Sequence, residues 1–215
     1  NTPYFIALSP FSVKVLKPFI PDKAKIYFLE NPHKVVEKKV DVTKNKKYVF
    51  VGRLSKEKNP VLLAKVAKKF GIEVLFVGDG EERQSIINNN PDAEITGWVD
   101  GDKVKEYLLT ARALVMTSNW YEGQPLVVGE ALGQGIPVVV PDTCAAIDVV
   151  QHGYNGLIFK SNNEASLYEA LKLLESNSFL KELSNNAYKK FWSKPPIIDT
   201  HVNALINIYN EILKG

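Results

Sequence analysis

Cysteine is nearly missing from this sequence. One residue, Cys144, stands among 215, so no internal disulfide can form and a reducing, cytoplasmic setting is the expected one. Long apolar runs are missing as well. Nothing approaches the roughly 18 consecutive apolar residues that a membrane-spanning helix needs, and no stretch reads as a signal peptide. Histidine is scarce. His33, His152 and His201 have no ligand spacing and no group of carboxylates is set out for magnesium, so neither metal nor cofactor is expected. Each histidine reads as a surface or packing residue. Neither sign of charge dominates: 27 Lys and Arg against 24 Asp and Glu leave +3, too little to argue for nucleic acid as a partner.

What is present belongs to an ordinary globular protein. The chain is 45% hydrophobic and 24% charged, which excludes disorder, and its length suffices to bury a substantial core without disulfides or metal. The positive charge is unevenly spread. Lys34, Lys38, Lys39, Lys44, Lys46 and Lys47 crowd into one short stretch. A solvated linker accounts for them, as for most charge runs; the alternative is peripheral membrane contact, a surface lying against anionic lipid headgroups.

From residue 47 onward, short β-branched runs alternate with longer amphipathic ones. Tyr48-Val49-Phe50-Val51 is a buried strand. Asn59-Pro60 follows, an N-cap with proline at the first helical position, and Leu63, Val66, Ala67 and Phe70 repeat at helical spacing up to Gly71. Val74 to Val77, Glu94 to Thr96, Ala113 to Met116, Pro137 to Val140 and Leu157 to Phe159 read as further strands, with helical patterns between them. Several strands are apolar throughout. A sheet covered by helices on both faces requires that, and strict strand–helix alternation predicts an α/β fold with a doubly wound parallel sheet. Residues 4 to 9 and 26 to 29 read as strands around a helix, outside that sheet. After Pro195-Pro196, Val202, Leu205, Ile206, Tyr209, Ile212 and Leu213 mark a long amphipathic helix whose apolar face must cover something. No internal repeat is visible.

Ligands of open α/β sheets bind beyond the carboxyl ends of the strands, so the loops after Val51, Val77, Thr96 and Met116 matter most. The first, Gly52-Arg53-Leu54-Ser55-Lys56-Glu57-Lys58-Asn59-Pro60, sets Arg53 and Lys58 beside a helix N-terminus whose free N–H groups already favour anions. That suits a diphosphate; a basic surface loop is the plainer alternative. The fourth, Glu122-Gly123-Gln124-Pro125-Leu126-Val127-Val128-Gly129-Glu130, holds two carboxylates with seven residues between them. Pro125 fixes the helix start, leaving Glu122 in the loop and Glu130 one to two turns into the helix. Carboxylates grip vicinal sugar hydroxyls, each oxygen accepting from one. Gly129, Gly133 and Gly135 cost helix stability, and glycines so placed mark close approach of the backbone to something. Gly78-Asp79-Gly80 is a fragment of a dinucleotide fingerprint, after the second strand rather than the first, which argues against a dehydrogenase.

Taken in order, Val51-Gly52-Arg53-Leu54 with Glu57-Lys58, Val77-Gly78-Asp79-Gly80, Thr96-Gly97, Glu122-Gly123-Gln124-Pro125 with Glu130-Ala131-Leu132, Gly135-Ile136-Pro137-Val138-Val139, and Gly153-Tyr154-Asn155-Gly156 resemble the retaining glycosyltransferases called glycosyl transferases group 1. The likeness covers residues 47 to about 160. It implies a Rossmann-like domain forming the C-terminal half of a GT-B architecture, which binds a nucleotide diphosphate sugar as substrate and transfers the hexose with retention, without metal. By that resemblance Arg53 and Lys58 hold the donor diphosphate and, with Glu122 on the transferred sugar, form the catalytic set. Glu130 accepts from the ribose hydroxyls. Gly52, Gly97, Trp98 and Val99, together with Gly123, Gln124, Pro125, Leu126 and Val127, lie around the base, the phosphates and the sugar, and Gly78 and Gly80 belong to the donor-site loops.

The sequence departs from the family pattern at Asn59, where a glycine is usual; at Gln124, in place of a common aromatic; at Cys144-Ala145, in place of Gly-Gly, with Asp148 for a glutamate; and at Asn31-Pro32-His33, in place of Asn-Gly-Val. The resemblance divides the chain into residues 1–32, a remnant of an N-terminal acceptor domain and linker; 33–197, the donor-binding domain; and 198–215, a crossover helix. The glycan or lipid-linked acceptor is expected to bind through the missing N-terminal domain, and the chain alone is expected to be inactive. Surface polysaccharide or glycan assembly is the family-level setting. The alternatives are a catalytically inactive nucleotide-sugar-binding or regulatory module and a sugar-nucleotide epimerase on the same scaffold.

Overall fold

The structure, a computed structural model, describes residues 2–214. The chain opens with β1 (Tyr4–Ala7), α1 (Pro10–Leu16) and β2 (Lys25–Phe28). The two strands pair in parallel as a sheet of their own. The first strand stops at Ala7 rather than running to Ser9, because Ser9 is the cap of α1: its hydroxyl accepts from the Ser12 N–H at 3.1 Å.

A second, six-stranded sheet follows. It comprises β3 (Tyr48–Val51), β4 (Val74–Val77), β5 (Glu94–Ile95), β6 (Ala113–Val115), β7 (Val138–Pro141) and β8 (Gly156–Phe159), with α2 (Pro60–Phe70), α3 (Arg83–Asn89), α4 (Gly101–Leu108), α5 (Leu126–Gly133) and α6 (Glu164–Leu173) between or after them. Every pairing is parallel and the spatial order is β5-β4-β3-β6-β7-β8. This is the doubly wound order with its topological switch point between β3 and β6. The unbroken apolar runs have the cause expected of them: Val49, Phe76, Val115, Val138 and Val139 are buried on sheet faces covered on both sides. Two long helices, α7 (Asn177–Ser193) and α8 (Ile198–Lys214), close the chain.

Helix boundaries follow local chemistry, with one correction. Gly71 ends α2 at φ 65°, as a C-terminal glycine does. Asn59 stands at the N-cap of α2, but its side chain makes no capping hydrogen bond there; the residue lies in the left-handed region at φ 50° and its Nδ2 donates to Asn162 Oδ1 at 2.9 Å. A glycine suits such a position, and asparagine is among the few other residues that tolerate it.

The glycines of α5 also have an internal explanation. A Cβ on Gly129 would lie 2.3 Å from the His33 ring, and one on Gly133 2.9 Å from Phe191 and Val35. The close approach they mark is therefore the packing of residues 33–35 and α7 onto α5. His33 is buried, edge-on to Phe191, and burial pulls its imidazole below the ordinary histidine pKa.

Candidate functional site

All six strands of the large sheet run the same way, so the loops after β3, β4, β5 and β6 emerge at one edge. The loop after β3 is shaped by backbone contact with its neighbour. Gly52 N–H donates to Val77 O at 3.0 Å, Leu54 N–H to Asp79 O at 2.8 Å, and Glu82 N–H to Leu54 O at 2.8 Å. The fit leaves no room for side chains. A Cβ on Gly78 would sit 2.0 Å from Gly52 O, and one on Gly80 2.4 Å from Leu54 O. Gly97, at φ 74°, bridges back to Gly78. Gly78 and Gly80 thus serve the packing of one loop on the next.

These loops frame an open cleft of about 440 Å³ lined by Val51, Gly52, Arg53, Val77, Gly78, Asp79, Trp98, Val99 and Val104. Its size is within the range for small-molecule sites. Trp98 stands at its rim, 81% exposed. The Arg53 guanidinium is exposed and meets Glu57 of its own loop at 2.6 Å. Arg53 pairs within its loop, which sets it apart from Lys58.

Lys58 crosses the switch point. Its Nζ lies 2.7 Å from Glu122 Oε1, in a pair whose side chains are only 30% and 15% exposed. Two hydroxyls at the end of β6 hold the loops in that relation. Thr117 Oγ1 donates to the carbonyls of Lys58 and Asn59, at 3.0 and 2.8 Å, while Ser118 Oγ donates to Glu57 O at 3.1 Å. Both residues are buried. Neither was singled out from the sequence; the available signal was two hydroxyl residues directly after an apolar strand.

Pro125 is the N-cap residue of α5, Leu126 begins the helix and is exposed, and Val127 packs partly on the core. Glu130 is half-buried on α5. Burial raises its carboxyl above the ordinary range, and Lys105 of α4 opposes that rise. Lys105 was also missed from the sequence, since only the fold sets α4 near α5. Gly123 and Gln124 face the N-terminal segment: Ser12 Oγ donates to Gly123 O at 3.2 Å, and Gln124 pairs with the Asn31 backbone. Cys144 is buried and its thiol is pushed up to about 12, chiefly by burial. No grouping of His, Cys, Asp or Glu fit to hold a metal occurs among the described residues, and no helix among them is long and apolar enough to cross a membrane.

Of the candidate residues, Arg53 stands in the cleft wall and Lys58 at the switch point, with Glu122 on the facing loop and Glu130 on α5. The profile of the family described as Glycosyl transferases group 1 matches residues 33–190. The chain belongs to that family.

Its relatives agree. The chain is 30% identical over 144 residues to the putative teichuronic acid biosynthesis glycosyltransferase TuaC of Bacillus subtilis, covering 66% of this chain and 36% of that protein. It is 32% identical over 109 residues to a GDP-mannose-dependent alpha-mannosyltransferase of Corynebacterium glutamicum, covering 51% and 26%. It thus spans about a quarter to a third of those two relatives. Among solved structures, sucrose-phosphate synthase from Thermosynechococcus elongatus superposes with a TM-score of 0.87 at 16% identity, over all of this chain and 59% of that one. HepE of Anabaena, solved with UDP and glucose, gives 0.83 at 18%, over 96% and 62%. At such identities the likeness speaks for the fold, the Rossmann-like domain of a GT-B glycosyltransferase.

Proposed function

We propose that this chain is the donor-binding half of a retaining, metal-independent hexosyltransferase. One observation carries the reading: the basic loop after β3 and the acidic loop after β6 meet at the switch point of the sheet, joined by Lys58 and Glu122. A nucleotide diphosphate sugar lying there has its nucleoside in the cleft beside Trp98 and Val99, its ribose at Glu130, its diphosphate between Arg53 and Lys58, and its sugar at Glu122. Negative charge grows on the departing β-phosphate in the transition state. Fixed cations aimed at it lower the barrier more than they strengthen ground-state binding. The leaving phosphate itself takes the acceptor proton in a front-face transfer, leaving Glu122 to orient the sugar and set the local field.

The acceptor side is assigned to an N-terminal domain, of which β1, α1 and β2 are the closing strand–helix–strand. Two features support this. A two-stranded parallel sheet is not stable unassisted, and β1 and β2 leave Ile6 and Phe28 exposed. On α8, Ile198, Val202, Ile206, Tyr209 and Leu213 form an exposed apolar stripe that fits the same cover. Relatives with named substrates include a UDP-galactose-dependent galactosyltransferase of Escherichia coli acting on a diphosphoundecaprenol-linked sugar, which favours a lipid-linked or polysaccharide acceptor at the cytoplasmic membrane face. The lysine-rich stretch before β3 is the surface such a membrane would meet, although Lys44 and Lys47 already pair with Asp41 and Glu94.

Thermal unfolding of the protein with UDP, GDP, ADP and their sugar conjugates tests the reading. A true ligand at a hundred times its dissociation constant adds about 2.7 kcal/mol. Absence of any stabilisation across the panel defeats it, and a product of inverted anomeric configuration from the full-length enzyme defeats the mechanism.

A further inference from the structure

Three consecutive residues, Glu122, Gly123 and Gln124, are each held by a different part of the chain. The Glu122 carbonyl accepts from Ala145 N–H at 3.0 Å and its carboxylate meets Lys58. The Gly123 carbonyl accepts from the Ser12 hydroxyl, so α1 grips the middle of the loop. Gln124 reaches the segment that leaves β2: its Oε1 accepts from Asn31 N–H at 2.7 Å, and its Nε2 donates to Asn31 O at 3.1 Å. Both ends of one planar amide are thus spent on a single backbone residue. Two further ties flank this clasp. Phe11 N–H donates to the Asp148 carboxylate at 2.8 Å, and the His33 ring lies on Gly129 of α5.

We infer that Gln124 is a positioning residue, whose paired hydrogen bonds to Asn31 fasten the loop carrying Glu122 to the junction at residues 31–33 and so couple donor occupancy to the setting of the segment before that junction. The inference rests on the proposed donor role of that loop. An aromatic or aliphatic side chain at position 124 fills space but cannot hold a backbone in register, because it offers neither donor nor acceptor. With glutamine there, the junction cannot swing without drawing residue 124, and therefore Glu122, with it. Coupling of this kind is reciprocal: whatever fixes Glu122 also fixes Asn31. Misplacing a reacting group by about 1 Å costs up to about 10²-fold in rate. The clasp should therefore show in turnover and in the grip on the sugar, and leave affinity for the bare nucleotide, which the proposed function gives to Arg53, Lys58, the cleft beside Trp98 and Glu130, nearly alone.

The test uses the full-length protein with Gln124→Leu and Gln124→Glu, and Asn31→Ala as a control that keeps both backbone partners. The probe is whichever of UDP, GDP and ADP the parent binds. Gln124→Leu is expected to bind it within about twofold of the parent and to turn over the matching sugar donor about tenfold to a hundredfold more slowly. Its Asn31 amide exchanges hydrogen faster and no longer responds to the sugar donor, while Asn31→Ala behaves as the parent. A protonated carboxyl at position 124 can both accept and donate, so turnover of Gln124→Glu relative to the parent should recover as pH falls through about 4.5, and that of Gln124→Leu should not. Parent-like turnover and Asn31 exchange in Gln124→Leu overturn the inference, as does affinity falling in step with turnover, or a Gln124→Glu ratio flat with pH. A parent that binds none of the three nucleotides overturns the donor reading itself, and this is seen before any variant is made.

Discussion

The two loops that flank the switch point are built on opposite principles. The loop after β3 is fixed by backbone: Gly52 and Leu54 bond directly to the loop after β4, and Gly78 and Gly80 leave no space for a side chain. The loop after β6 is held through side chains: Lys58 meets Glu122, the Ser12 hydroxyl donates to Gly123 O, and the Gln124 amide clasps the Asn31 backbone. A backbone-fixed loop is rigid whatever its surface side chains do, and so can present cations to a ligand at constant geometry. A loop held by remote side chains moves when its anchors move, which suits the role proposed for Glu122, to meet the sugar only once the site is assembled.

The sharpest way to break this contrast is at Lys58, whose charged side chain reaches from one loop to the other. Lys58→Ala is expected to lower turnover of the full-length enzyme by about 10²–10³-fold; Arg53→Ala should act similarly on the diphosphate. Single-turnover rates decide it, and near-parental rates for Lys58→Ala remove the proposed clamp. The backbone side is probed by Gly78→Ala. Its Cβ meets Gly52 O at 2.0 Å and its φ is 147°, so we expect a loss of about 3 kcal/mol or more in urea unfolding. A parental midpoint would show that the loops can part without consequence.

Glu130→Gln separates ligand binding from folding. Burial raises the folded carboxyl pKa above its ordinary 4.5. A group shifted that way contributes stability while protonated, fully below the unfolded value, and loses it as pH rises through the folded one. At neutral pH the buried carboxylate is therefore a liability to the unliganded fold. Glu130→Gln should gain in stability relative to the parent as pH rises and the parent's carboxyl ionises, and should bind nucleotide about tenfold more weakly through loss of a charged acceptor. Urea melts across pH together with calorimetric titration check both signs. The smallest effect is expected at Asn59. Alanine there costs about 1 kcal/mol because of its left-handed backbone, whereas glycine stays within about 0.5 kcal/mol of the parent.

The periodic apolar runs made the sheet, its parallel sense and its helices legible, since each depends on residues a few positions apart. The candidate residues Arg53, Lys58, Glu122 and Glu130 were legible as residue types at family spacing. Their partners were not. Lys58 turned to Glu122, Gln124 to Asn31, and Gly129 to His33, and no local rule predicts contacts between segments so far apart in the chain. Asn59 shows a subtler failure: its type fits an N-cap, but its backbone is left-handed and its side chain bonds Asn162 instead of the helix.

The sequence alone determined the α/β succession, the edge at which the loops gather and the chemical character of each loop, because burial period and turn chemistry are local properties. Tertiary structure alone decided which cation meets which carboxylate, which glycines exist for packing, and what holds the acidic loop in place. Those outcomes depend on distances between segments remote in sequence, fixed only when the strands on either side of the switch point come together.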